Sequence, residues 1–88
     1  MYNKQKLKEW NLLKTKEDYD FFYRITKMMS HQKIEEFGAD FLHDLELLTD
    51  IVKNGREKDA KIYIDSLEGK KRKIVATDTY FTMFKIYR

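Results

Sequence analysis

Eighty-eight residues without a cysteine or a proline give room for one small domain and exclude disulfide staples, thiolate metal sites and cysteine nucleophiles. Hydrophobic residues make up 42% of the chain and aromatic residues 15%, which argues against intrinsic disorder, while 38% charged residues require a wet surface. The net charge of +3 is arranged basic–acidic–basic, with +3 over residues 1–14, −4 over residues 15–54 and +4 over residues 55–88, a field that steers partners without dictating a fold.

Residues 3–14 favour a helix with Leu7, Trp10 and Leu13 on one stripe. No apolar run here or elsewhere approaches the roughly 20 residues that span a bilayer, and the N-terminus lacks a signal-peptide core. A soluble, cytoplasmic protein with no membrane partner is expected. Thr15 is suited to cap a second helix over about residues 16–29, because its hydroxyl accepts from exposed amides while Glu17 and Asp18 suit the positive helix end. Tyr19, Phe22, Tyr23, Thr26 and Met29 share one face of that helix, and Phe21, Ile25 and Met28 extend it.

Ser30 is the expected cap of a third and longest helix. Ile34, Phe41 and Leu48 recur every seven residues, and Gly38, Leu45 and Val52 form a second series offset by four. Together they draw one apolar seam, widened by Phe37, Leu42 and Ile51, that must be covered by another helix. The pattern reads straight through Gly38 and stops at Asn54-Gly55, where glycine can close a helix. The apolar groups of the second helix and of residues 80–87 also need cover, so the seam is expected to be buried within one chain. Asp44 is placed on the polar side of this helix, where its loss should cost little.

Beyond Gly55, Ala60, Tyr63, Ile64 and Leu67 keep helical spacing up to Gly69. Residues 79–87 are rich in the aromatic and β-branched types that strands favour. Thr77 followed by Asp78 instead offers a helix cap that would group Tyr80, Phe84 and Tyr87. The expected fold is all-α, a small three- to four-helix bundle forming a single helical domain over residues 1–88. The alternative is α+β, with three helices followed by a C-terminal β-hairpin.

Few residues are patterned for catalysis. Glu36, Asp40, His43 and Glu46 would share a helical face, and His31 with Glu35 makes a second pair, but such spacing is equally that of a solvated face. Gly38, Gly55 and Gly69 are too dispersed to cradle phosphate, and no G-x-S-x-G turn is present. No metal, no cofactor and no enzymatic activity are expected.

The clearest charge cluster is Lys70-Lys71-Arg72-Lys73 after Gly69, expected as a solvated surface. With Lys4, Lys6 and Lys8, and with Tyr80, Phe81 and Tyr87 to stack on bases, it suggests nucleic-acid contact as the alternative function. Lysine outnumbers arginine 14 to 4, which weakens that reading, because the arginine fork favours bidentate phosphate recognition. Trp10 reads either as a partner-facing anchor or, preferably, as a lock between the first helix and the bundle. The expected function is that of a non-enzymatic binding protein acting through protein–protein contact as a regulator, inhibitor or assembly factor. Lys70, Lys71, Arg72, Lys73 and Trp10 are the candidate contact residues, and the chain is expected as a monomer or homodimer.

Overall fold

Segments of helical periodicity, separated by glycines and capping residues, fold into six α-helices with no strand among residues 2–87, which the computed structural model describes. These are α1 (Tyr2–Glu9), α2 (Lys16–Thr26), α3 (Ser30–Phe37), α4 (Ala39–Asn54), α5 (Glu57–Asp65) and α6 (Lys70–Tyr87). The all-α expectation holds, with six helices in place of three or four. The hairpin alternative falls, because residues 79–87 lie inside α6.

Most boundaries have a local cause. Helix α1 ends earlier than expected because Asn11 adopts a left-handed conformation, φ +61°. The amide of Leu12 then donates to the Leu7 carbonyl at 2.9 Å and that of Asn11 to the Lys8 carbonyl at 3.0 Å, which closes the helix. Thr15 caps α2 as expected, and reciprocally: its hydroxyl accepts from the Asp18 amide at 3.2 Å while Asp18 Oδ2 accepts from the Thr15 amide at 3.0 Å. Before α3 the capping position is Met29 rather than Ser30, and its amide donates to Gln32 Oε1 at 2.8 Å.

The expected third helix is two helices. Gly38 sits at φ +72°, ψ −152°, a region open essentially to glycine alone, and splits the seam into α3 and α4. An added Cβ there would meet nothing within 4 Å, so the backbone conformation itself, and no close neighbour, requires glycine. Gly69, at φ +88°, sits immediately before α6.

Helix α6 is the centre of the fold and packs against α1, α2, α4 and α5. Its residues from Ile74 to Phe81 are all buried. Thr77, expected to be a cap, is instead fully buried within the helix, and its hydroxyl donates to the Lys73 carbonyl at 2.7 Å. Thr79 does the same to Val75 at 2.8 Å, so both hydroxyls are satisfied without leaving their own helix.

Two apolar clusters flank α6. The first joins Leu7, Leu12 and Leu13 to Phe21, Phe22, Ile25, Phe41, Ile74 and Val75. The second joins Leu48, Val52, Ala60, Ile64 and Leu67 to Ala76, Tyr80 and Phe81. The seam is thus covered within the chain, as expected, chiefly by α6, with Phe41 beside residues of α2 and with Leu48 and Val52 beside α5. Its edges differ from expectation: Leu42, Tyr23 and Met29 are exposed, and Leu45 is only partly buried.

Candidate functional site

The basic run opens α6 and is built into the fold more deeply than a solvated surface. Lys70 Nζ lies 2.9 Å from Asp18 Oδ2, the same oxygen that accepts from the Lys14 and Thr15 amides at 3.0 Å. The Lys70 ammonium foremost, then the Thr15 and Lys14 amides, hold the Asp18 carboxyl well below the usual carboxylate range. A carboxyl whose pKa is depressed by folding adds stability that is complete above its unfolded value of about 3.9 and drains as the pH falls below it. Asp18→Asn is therefore expected to lower stability by about 1–2 kcal/mol at neutral pH, the range for a lost helix cap. In urea denaturation the gap between the two proteins should close as the pH falls from about 4 toward 2.

Arg72 is the second anchor of the run. Its Nε lies 3.0 Å from Asp44 Oδ2 and its Nη2 3.0 Å from Asp44 Oδ1, a two-pronged pair, while Nη1 is 3.5 Å from Asp40 Oδ2. Asp44 also accepts from the Tyr63 hydroxyl, which links α4, α5 and α6. The Asp44 hydrogen bonds raise the pKa of the guanidinium further. Burial, then the Asp44 carboxylate, pushes the Tyr63 phenol up to about 12, so it stays a neutral donor. The placement of Asp44 on a polar face is thus corrected: it is 4% exposed. A local signal was available, since Asp44 lies three residues after Phe41 and four before Leu48, on the side that both bury.

The remaining cations of the run are less committed. Lys71 is exposed, its ammonium 5.5 Å from the centre of the Phe21 ring, which also receives Arg24 at 5.3 Å. Lys73 is half-buried and forms no ion pair among the described residues.

Beside this cluster α3, α4 and α6 leave an open pocket of about 120 Å³. Phe37, Phe41 and Val75 supply its apolar lining, and Lys71, Arg72 and Asp40 supply charge. The Gly38 break lies between the two phenylalanines, where α3 gives way to α4. Sequence periodicity gives no indication of this pocket, because the seven-residue spacing continues unbroken across it.

Trp10 does not line the pocket beside the basic run. It stacks edge-on against Phe81 at 5.3 Å, lies against both apolar clusters and carries Lys61 above its ring at 5.3 Å. These contacts join Trp10 to α5 and α6. His43 is exposed, and Glu36, which a continuous helix would have set near it, pairs with Arg24 at 2.6 Å. No three histidine, aspartate or glutamate residues gather around a common point among the described residues. No helix among them is long and apolar enough to cross a membrane.

No family model, curated protein or solved structure matches the chain.

Proposed function

We propose that this chain is a cytoplasmic, non-enzymatic binding protein that acts through protein–protein contact, as a regulator, inhibitor or assembly factor. The pocket between α3, α4 and α6 carries the reading. It offers an apolar lining of Phe37, Phe41 and Val75 with room for one side chain, and a charged edge formed by Lys71, Arg72 and Asp40. Binding energy at protein interfaces concentrates where one large apolar or aromatic anchor enters such a recess and a polar border excludes water. The partner's complementary element is an aliphatic or aromatic side chain beside a carboxylate, which the exposed Lys71 ammonium would meet.

The basic run supports this reading over nucleic-acid binding. Two of its four cations, Lys70 and Arg72, are drawn onto carboxylates of the same chain, which lowers the charge left for phosphate. The test is affinity capture from the native host with the wild-type chain and with Lys71→Glu, followed by mass spectrometry. A protein recovered by the wild type and lost with Lys71→Glu is the expected result. Recovery of nucleic acid instead, with retention falling steeply as salt is raised, would overturn the reading in favour of a phosphate-contact surface.

A further inference from the structure

Two cations and two carboxylates line the pocket between α3, α4 and α6, and they are unequally engaged. Arg72 and Asp44 are committed to each other by two hydrogen bonds of 3.0 Å, and Asp44 also accepts from the Tyr63 hydroxyl. Lys71 and Asp40 are freer. Lys71 is exposed and forms no ion pair among the described residues. Its ammonium lies 5.5 Å from the centre of the Phe21 ring, which in turn meets Phe37 of the pocket wall at 6.2 Å. The Asp40 side chain is 71% exposed, and its one ion pair among the described residues is a long one, 3.5 Å to Arg72 Nη1.

The pocket therefore offers three unlike surfaces to whatever enters it. One is the apolar lining of Phe37, Phe41 and Val75, one is a cation without a counter-charge, and one is a carboxylate open to a donor. The same three needs are answered by the groups on a single atom, the α-carbon of a peptide's last residue. Its side chain suits the apolar lining, its carboxylate suits Lys71, and its amide N–H suits Asp40. The flexible four-carbon stem of lysine lets the ammonium follow such a carboxylate while the stem stays on the wall.

An anchor from the middle of a partner chain fits less well. Adjacent side chains of a strand point to opposite faces. On a helix the nearest side chain of the same face is three or four positions away, about 5–6 Å between the Cβ atoms. A recess of about 120 Å³, with room for one side chain, is better matched by one residue that carries anchor and anion together. We propose that this pocket captures the C-terminal residue of its protein partner, a large aliphatic one such as leucine, and that Lys71 selects its free carboxylate. The proposal rests on the pocket being the partner's anchor site and adds which part of the partner enters it.

Heteronuclear NMR titration of the whole chain tests it, at fixed ionic strength because Lys71 is exposed. The probes are acetyl-Gly-Gly-Leu as the free acid, the same peptide as its C-terminal amide, acetyl-Gly-Gly-Gly as the free acid, and 4-methylpentanoate. The leucine-ended acid is expected to bind saturably and to shift the backbone resonances of Asp40, Phe41 and Lys71. The amide should bind at least ~10-fold more weakly, because it forfeits a charge-assisted hydrogen bond. The glycine-ended acid should lose a similar factor, because it leaves the apolar lining uncovered. Lys71→Met keeps the stem, and should bring the acid down to the affinity of the amide while leaving the amide unchanged. Unchanged binding of the amide also shows that the variant keeps its pocket.

Equal losses of acid and amide in Lys71→Met would overturn the proposal, as would no saturable shift with the acid at ~10 mM. Equal affinity for 4-methylpentanoate, which has no amide, would overturn it in favour of any apolar carboxylate. An amide that binds the wild type as tightly as the acid would overturn the C-terminal assignment and leave the anchor site standing. The anchor site itself fails on a different result, a captured partner that Lys71→Glu does not release.

Discussion

Asp44→Ala should lower the unfolding free energy by about 2–4 kcal/mol. Removing one member of a buried ion pair typically costs about 3–5 kcal/mol, because the partner's charge is left without compensation. Here the figure is reduced, since the Arg72 side chain is 32% exposed and keeps Asp40 at 3.5 Å. The substitution also strips the acceptor from the Tyr63 hydroxyl. Urea denaturation gives the value directly, with Asp50→Ala on the exposed side of the same helix as the reference. Asp50 contacts Asn54 one turn on, in solvent, and its loss should stay within about 0.5 kcal/mol. Equal losses at the two positions would mean that the Asp44–Arg72 pair contributes nothing. Replacing both members, as Asp44→Leu with Arg72→Met, should recover much of the loss, because neither charge is then left stranded.

Phe81→Ala should be more damaging still, at about 3–5 kcal/mol. Phe81 is fully buried, meets Trp10 at 5.3 Å and Tyr80 at 4.9 Å, and has the Lys6 ammonium 5.7 Å from its ring centre. A chain of this length has a total stability of roughly 4–13 kcal/mol, so one such cavity removes a large share of it. Thermal unfolding followed by circular dichroism and by Trp10 fluorescence would show a much lower midpoint. Ile86→Ala, at a position 65% exposed, should barely move it. A Phe81→Ala midpoint close to that of Ile86→Ala would mean that the contact between α1 and α6 is not needed for folding.

The parts of this fold that were legible in the sequence are those with local causes. Thr15 caps α2 with its own hydroxyl, the Asn54-Gly55 stop closes α4, and the 3-4-3 spacing of Ala60, Tyr63, Ile64 and Leu67 marks α5. The parts that were missed depend on distant partners or on backbone torsion. Seven-residue spacing continues across Gly38 whether or not the chain turns there, and only its φ of +72° reveals the break. Helix α6 is covered on all sides over two turns, so it carries no amphipathic stripe, and its β-branched and aromatic residues imitate a strand. The candidate site was half legible. Lys71 could be placed on a surface from sequence, but the attachment of Arg72 to Asp44 spans 28 positions and leaves no local spacing to read. The bond from the Asn3 amide nitrogen to Asp78 likewise spans 75 positions.

The central place of α6 also bears on the order in which the molecule is made. Both apolar clusters draw residues from this helix, Ile74 and Val75 for one and Ala76, Tyr80 and Phe81 for the other. Of the six helices it is the last to leave the ribosome. At about 5–20 residues per second, α1 to α5 are made seconds before the helix on which most of them pack. Neither cluster can be completed before it. Completion of either cluster waits for the sixth helix, and until it emerges the faces of α2 and α4 that α6 covers have no cover from it.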